Sequence, residues 1–313
     1  MRPTTKIIFT LALLLCSGTK VQAQSDSAFF DTTLLRPFLT PADSFLRDGV
    51  PLPNVNFPLD SSISTTLLYM PWKNSLRIIN GHSTYTLAKR ELEFCIQHRF
   101  GLLSSGYENA WGLDQSNIRI GFDYGITNRI TLGVGRAGMG KTANGYAKFA
   151  LLNNGLGRIA WLSDMAYVFE KNTTGLAPWY NSHRLNYTHQ LLLSRNLFHH
   201  KLFLQLAPTV VHRNLVDSAA DANTVPLLLG NFRYSISEKI CLTGEYTHIL
   251  NQRLNGQINR SVGFGLEFWT AGHVFQITCT NASSLNEARY LTSQNGDFRK
   301  GEFRLGFNIV RKW

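Results

Sequence analysis

Past its first two dozen residues the chain has no stretch approaching eighteen consecutive apolar residues, which excludes helical membrane spans. Cysteine is scarce, four in 313 residues. Beyond Cys16 only Cys95, Cys241 and Cys279 remain, an odd number without motif spacing. A disulfide framework is therefore not indicated, and the three read as unpaired. Clustered basic charge is also missing: the net charge is +11, but Lys and Arg are scattered, so nucleic acid is not indicated as a partner. Anionic solutes or the acidic cores of surface lipids suit that balance better.

What is present begins with an export signal. Arg2 and Lys6 precede an apolar run from Ile7 to Cys16, and Val21-Gln22-Ala23 forms a small-residue cleavage site, so residues 1–23 read as a signal peptide. Leu15 stands where lipoprotein processing needs a small residue, which argues against lipidation of Cys16. Losing Arg2, Lys6 and Lys20 lowers the net charge from +11 to about +8. Residues 24–89 hold six of the ten prolines (Pro37, Pro41, Pro51, Pro53, Pro58 and Pro71) and many Ser and Thr. Proline cannot donate to a ladder, so this segment is expected to be mostly irregular, a periplasmic arm or a plug.

From residue 90 a period of two takes over. Ile118, Ile120, Phe122, Tyr124 and Ile126 oppose Asn117, Arg119, Gly121 and Asp123, and Ile130, Leu132 and Val134 oppose Thr131, Gly133 and Gly135. The pattern predicts about twelve strands: 90–100, 116–126, 128–137, 143–153, 158–170, 182–195, 200–213, 223–236, 239–250, 258–269, 272–281 and 301–313. In the final segment Phe303, Leu305, Phe307, Ile309 and Trp313 share a face, as in the closing strand of an outer-membrane barrel; only Arg311 breaks it, where a long basic side chain can snorkel. Phe307, Ile309 and Trp313 would be the membrane-insertion signal offered to the barrel-assembly machinery. Short joins alternate with mostly longer, polar ones. The expectation is an all-β, antiparallel transmembrane β-barrel over 90–313, both termini periplasmic, in contact with outer-membrane lipids and lipopolysaccharide. A soluble sandwich or lipocalin-like barrel would alternate too, with its apolar face inward.

Several motifs are less than they look. Gly135 to Thr142 matches the phosphate-cradling loop of nucleotide hydrolases, but that loop needs a buried parallel strand before it and a helix after it. The flanks here read as barrel strands, so no nucleotide is expected, and Gly138 and Gly140 read as turn glycines. His199-His200 would point to opposite faces of a strand, and His98, His189 and His248 fall on outward faces; neither metal nor cofactor is expected. A barrel lipid hydrolase would need Ser or Asp beside a His such as His98 or His212, with an oriented base, and no such set stands out.

The chemistry that remains faces inward. The lumen-lining candidates are Glu93, Arg99, Asn117, Arg119, Asp123, Arg184, Arg233, Glu245, Glu267 and Arg304, with Asn186, Gln190, Gln205, Asn231 and Asn308. Such mixed charges either pair across a narrow lumen and fill it, or line a hydrated path. The loops near 101–115 and 282–300 are expected to constrict the mouth. The reading is a passive channel or transport component for a small solute, with a closed docking barrel for a periplasmic partner as the alternative.

The runs Arg77-Ile78-Ile79-Asn80-Gly81-His82-Ser83, His98-Arg99-Phe100-Gly101, Trp111-Gly112-Leu113-Asp114-Gln115, Leu132-Gly133-Val134-Gly135-Arg136, Val211-His212-Arg213-Asn214-Leu215 and Gly272-His273-Val274-Phe275-Gln276 resemble a β-barrel family of unknown function from Bacteroidota. The resemblance covers about residues 76–312, and its motif residues are Asn80, Gly81, His82, Asp114, Gln115, Arg136, His212, Arg213 and His273. It implies an outer-membrane barrel and offers no catalytic residues to carry over. Genes of that family often neighbour a periplasmic lipocalin-like protein that binds isoprenoid lipids, which implies a lipid-binding partner.

Overall fold

The computed structural model describes residues 75–154, 157–170, 180–198, 200–216, 222–250, 260–270, 272–292 and 296–313. The expected signal peptide, and the arm from 24 to 74, lie outside the described residues.

Twelve antiparallel strands close into one barrel. They are β3 (Leu92–Leu102), β4 (Ser116–Thr127), β5 (Ile130–Ala137), β6 (Thr142–Asn154), β7 (Gly157–Val168), β8 (Leu185–Leu197), β9 (Leu202–Arg213), β10 (Thr224–Ser235), β11 (Ile240–Ile249), β12 (Val262–Trp269), β13 (His273–Thr280) and β14 (Arg304–Lys312). Each pairs with its neighbour in sequence, and β14 closes on β3 with Asn308 opposite Gln97 and Ile309 opposite Ile96. The seam continues past the strands: Leu92 and Trp313 exchange backbone hydrogen bonds of 3.1 and 2.9 Å. Observed strands lie within about four residues of the expected ones, the usual margin for strand ends. The largest difference is in the tenth, expected from 258 and beginning at Val262.

Which face looks outward separates a membrane barrel from a soluble one. On β4, Ile118, Ile120, Phe122, Tyr124 and Ile126 are exposed, whereas Asn117, Arg119 and Asp123 are buried; Ile120 is 46% exposed and Arg119 0%. Leu132 and Val134, Trp161 and Met165, Phe264 and Leu266, and Phe275 and Ile277 repeat the pattern. An apolar exterior around a polar interior is the arrangement that lipid stabilises and water does not.

A two-stranded hairpin, β1 (Arg77–Ile78) and β2 (Gly81–His82), pairs with itself and not with the barrel sheet. The stretch 75–84 is buried throughout. So although the prolines place residues 75–87 in the irregular arm, they pack inside the lumen, where a short hairpin satisfies part of its own backbone. The single α-helix among the described residues, α1 (Glu287–Thr292), lies in the β13–β14 connection, with Glu287, Ala288, Tyr290, Leu291 and Thr292 buried.

Candidate functional site

The site is the inner wall and the two segments it encloses. Strand periodicity puts alternate side chains of every strand inward, and in β3 to β6 and β11 to β14 those positions are mainly polar. Arg99 donates to Asn308 Oδ1 (2.9 Å), Asn80 Oδ1 (3.0 Å) and Ile79 O (3.3 Å). The carboxylate of Glu245 accepts from the backbone N–H groups of Asn80 (3.0 Å) and Gly81 (3.2 Å) and from the Asn80 amide. Lys148 donates to Ser83 O and Tyr85 O, both at 3.0 Å, and Gln205 to His82 O at 2.7 Å. The hairpin is thus gripped through its backbone by side chains from β3, β6, β9, β11 and β14.

Around that grip the wall pairs with itself. Arg233 Nε lies 2.8 Å from Glu267 Oε1, Tyr146 donates to Asp123 (2.7 Å), and Asn144 joins Arg119 (3.2 Å) to Asp164 (2.6 Å). Glycines make room: a Cβ on Gly135 would fall 2.2 Å from Arg119 Nη2, and one on Gly133 would meet Asp123 and the Tyr146 ring. The opposite sector adds apolar side chains to the polar ones. Leu162, Leu192, Val211, Leu227 and Leu229 point inward from β7 to β10, and Ala288 and Leu291 of α1 pack on them.

Glu287 joins the hairpin to α1. Its Oε1 lies 2.6 Å from Arg77 Nη1 and 2.9 Å from His82 Nε2, and the His82 ring meets Tyr146 edge-on at 4.5 Å. Burial alone would raise the Glu287 carboxyl, but the Arg77 guanidinium and His82 outweigh it and hold it well below the usual range. Burial, reinforced by the charges of Arg77 and Lys148, holds the His82 imidazole well below its ordinary value despite Glu287. The arrangement is an ionised Glu287 between a cationic Arg77 and a neutral His82.

Of the expected lumen residues, Glu93, Arg99, Asn117, Arg119, Asp123, Arg233, Glu245 and Glu267 are buried on the inner wall, as are Asn186, Gln190, Gln205, Asn231 and Asn308. Arg304 sits at the rim, donating to Asn281 O (3.1 Å). Arg184 departs from expectation. A 3-10 turn at Asn181–Arg184 delays the strand's start to Leu185, and the guanidinium donates to the carbonyls of Val168 and Glu170, both at 3.1 Å. Asn80, Gly81 and His82 come together in the lumen, but Asp114, Gln115 and Arg136 are exposed. His212 and Arg213 sit at one rim, and His273 at the other, 2.8 Å from Arg311. The 282–292 part of the last long loop enters the lumen itself, whereas the 103–115 loop leaves Tyr107, Trp111 and Leu113 exposed.

Strand parity could have found Lys148 and Asp164, which share the inward face of β6 and β7; Arg77 and Glu287 lie outside regular strands, where parity is silent. His98 packs against the rings of Phe100 and Phe307, and His212 meets the Thr224 hydroxyl at 2.8 Å. Unforeseen is a Ser163–His189 contact of 3.0 Å on the outer face; the Trp161 indole donates to the same hydroxyl (2.9 Å). Among the described residues no acid or amide is bonded to that ring. The motif at 135–142 connects β5 to β6 through a single 3-10 turn, Met139–Lys141, without the helix a phosphate loop requires. Cys95 and Cys241 are buried inward and Cys279 is half-buried on the outer face.

Fold and inner wall define a membrane β-barrel with an occupied polar lumen. Residues 74–313 match the family described as membrane bound beta barrel domain (DUF5777), and the chain belongs to it. No curated protein matches the chain. Among solved structures it is similar to the NanC porin (9% identity, TM-score 0.47, covering 70% of this chain and 98% of that one). It is also similar to the KdgM porin (11%, 0.44, covering 71% and 98%) and to Omp33 of Acinetobacter baumannii (7%, 0.41, covering 72% and 99%).

Proposed function

We propose that the protein is an outer-membrane channel or transport component for a small solute, closed by the 75–87 segment and the α1 loop. The supporting observation is the chemistry of the grip. Glu245, Arg99, Lys148 and Gln205 hold the hairpin by hydrogen bonds, with no strand pairing to the barrel, and such bonds exchange for water at small net cost. Neither amide atom of Gln190, nor Asp123 Oδ2 or Asp164 Oδ1, has a hydrogen-bond partner among the described residues. Wall groups of this kind suit a hydrated path. With the hairpin displaced, Arg99, Arg119, Lys148, Asp123 and Glu245 would set the field that sorts solutes by charge. In the outer-membrane orientation the short turns face the periplasm.

The test is single-channel conductance of the refolded mature chain in planar bilayers, with and without residues 24–89. Steps that appear or enlarge on truncation are the expected result. Silence of both forms, each shown by heat-modifiable migration to be folded, overturns it. The full burial of Leu76, Ile78 and Ile79 favours one other reading, a permanently closed barrel that docks a periplasmic partner such as a lipocalin-like lipid-binding protein. That reading requires two silent forms and loss of the partner on truncation.

A further inference from the structure

The lipid-facing surface carries a groove of about 630 Å³, within the range of sites that hold small ligands. Gly230 of β10 leaves its floor bare, and Leu204, Leu206, Phe232, Tyr246 and Phe264 form its walls. Glu245 also borders it, with its carboxylate turned inward onto Asn80. The groove runs down to Arg195, which also lines a separate polar pocket of about 220 Å³ at the barrel rim with Asn154, Arg158, Ser194, Asn196 and His200, where Arg158 stacks on the lumenal Tyr85 ring; no acidic residue lines that pocket.

Arg195 sits on the outward face of β8, two residues before the strand ends at the short 198–201 turn. It is half-buried, and its guanidinium has no hydrogen-bond or ion-pair partner among the described residues. A cation at the edge of a bilayer is costly unless something anionic meets it, and lipid phosphates stand at that level. An apolar trough meeting a cationic polar pocket at one arginine has the polarity of a two-part molecule. We propose that one glycerophospholipid from the leaflet at the short-turn rim occupies both, its phosphodiester against Arg195 and an acyl chain laid over Gly230. This depends on the barrel lying in a membrane and not on whether its lumen opens.

The experiment is native mass spectrometry of the full chain, delipidated in mild detergent and titrated separately with phosphatidylglycerol, lipid A and inorganic phosphate. One retained phosphatidylglycerol per barrel is expected, weakened about fivefold by Arg195→Gln. Gly230→Leu is expected to weaken it comparably. A Cβ there would lie 3.8 Å from its nearest neighbours, so the larger side chain fills the groove without moving backbone. Gly145→Leu, at another lipid-facing glycine, should change nothing. Equal affinity in wild type, Arg195→Gln and Gly230→Leu would overturn the proposal. So would displacement by inorganic phosphate or a preference for lipid A. Heat-modifiable migration of each variant certifies its fold.

Discussion

Single residues set how tightly the lumen is filled. Gly135 lies against Arg119, whose guanidinium reaches Gln97 at 3.3 Å and Asn144 at 3.2 Å, so Gly135→Ala must push that head group off its partners. Overpacking of this kind costs about 1–3 kcal/mol, to be read as a lower urea midpoint for the refolded barrel. His82 makes closure sensitive to pH. Packed in the lumen its imidazole refuses a proton that it accepts once hydrated, so the closed form is at full strength above about pH 6.5 and loses ground as pH falls below it. Arg77, Lys148, Tyr146 and Glu287 are the groups facing the ring, and the depressed Glu287 carboxyl adds a loss of the same sense only below about pH 4.5. His82 should therefore contribute a rise in open probability between pH 7.5 and 5, read as the difference between the wild-type profile and that of His82→Gln. An unchanged profile in the variant would assign the effect elsewhere.

At the scale of elements, the strands were legible because a membrane barrel enforces one rule along every one of them, an apolar outward face opposite an inward face that carries the polar side chains. The polar set could therefore be read by parity, Arg99 and Glu245 included. The elements that occupy the lumen obey no such rule. The hairpin is only two residues per strand, and α1 is six residues in a polar loop, too short for any periodicity to register. Arg77 and Glu287 come together across 210 residues, a pairing that local pattern cannot contain. Both side chains are nearly inaccessible, and removing one partner of such a pair costs about 3–5 kcal/mol because the other charge is left buried. Glu287→Gln should accelerate amide hydrogen exchange across residues 75–83 while leaving β3 to β14 protected. Uniform acceleration would mean that the pair supports the whole barrel and not the plug alone.

For the molecule as a whole, the seam has a consequence in time. β14 meets β3 across more than two hundred residues of chain, and the hairpin that fills the lumen immediately precedes β3. Contacts that distant form slowly, after the local hairpins of the sheet. Asn308 of the closing strand donates at 2.8 Å to Ile79 of the hairpin, so the final strand docks partly onto the contents it encloses. A hairpin already seated when the seam forms would therefore offer β14 one more contact, so the full chain should close its seam faster than the chain without residues 24–89, although both close. Loading of the lumen then sets the pace at which the wall closes, not whether it closes.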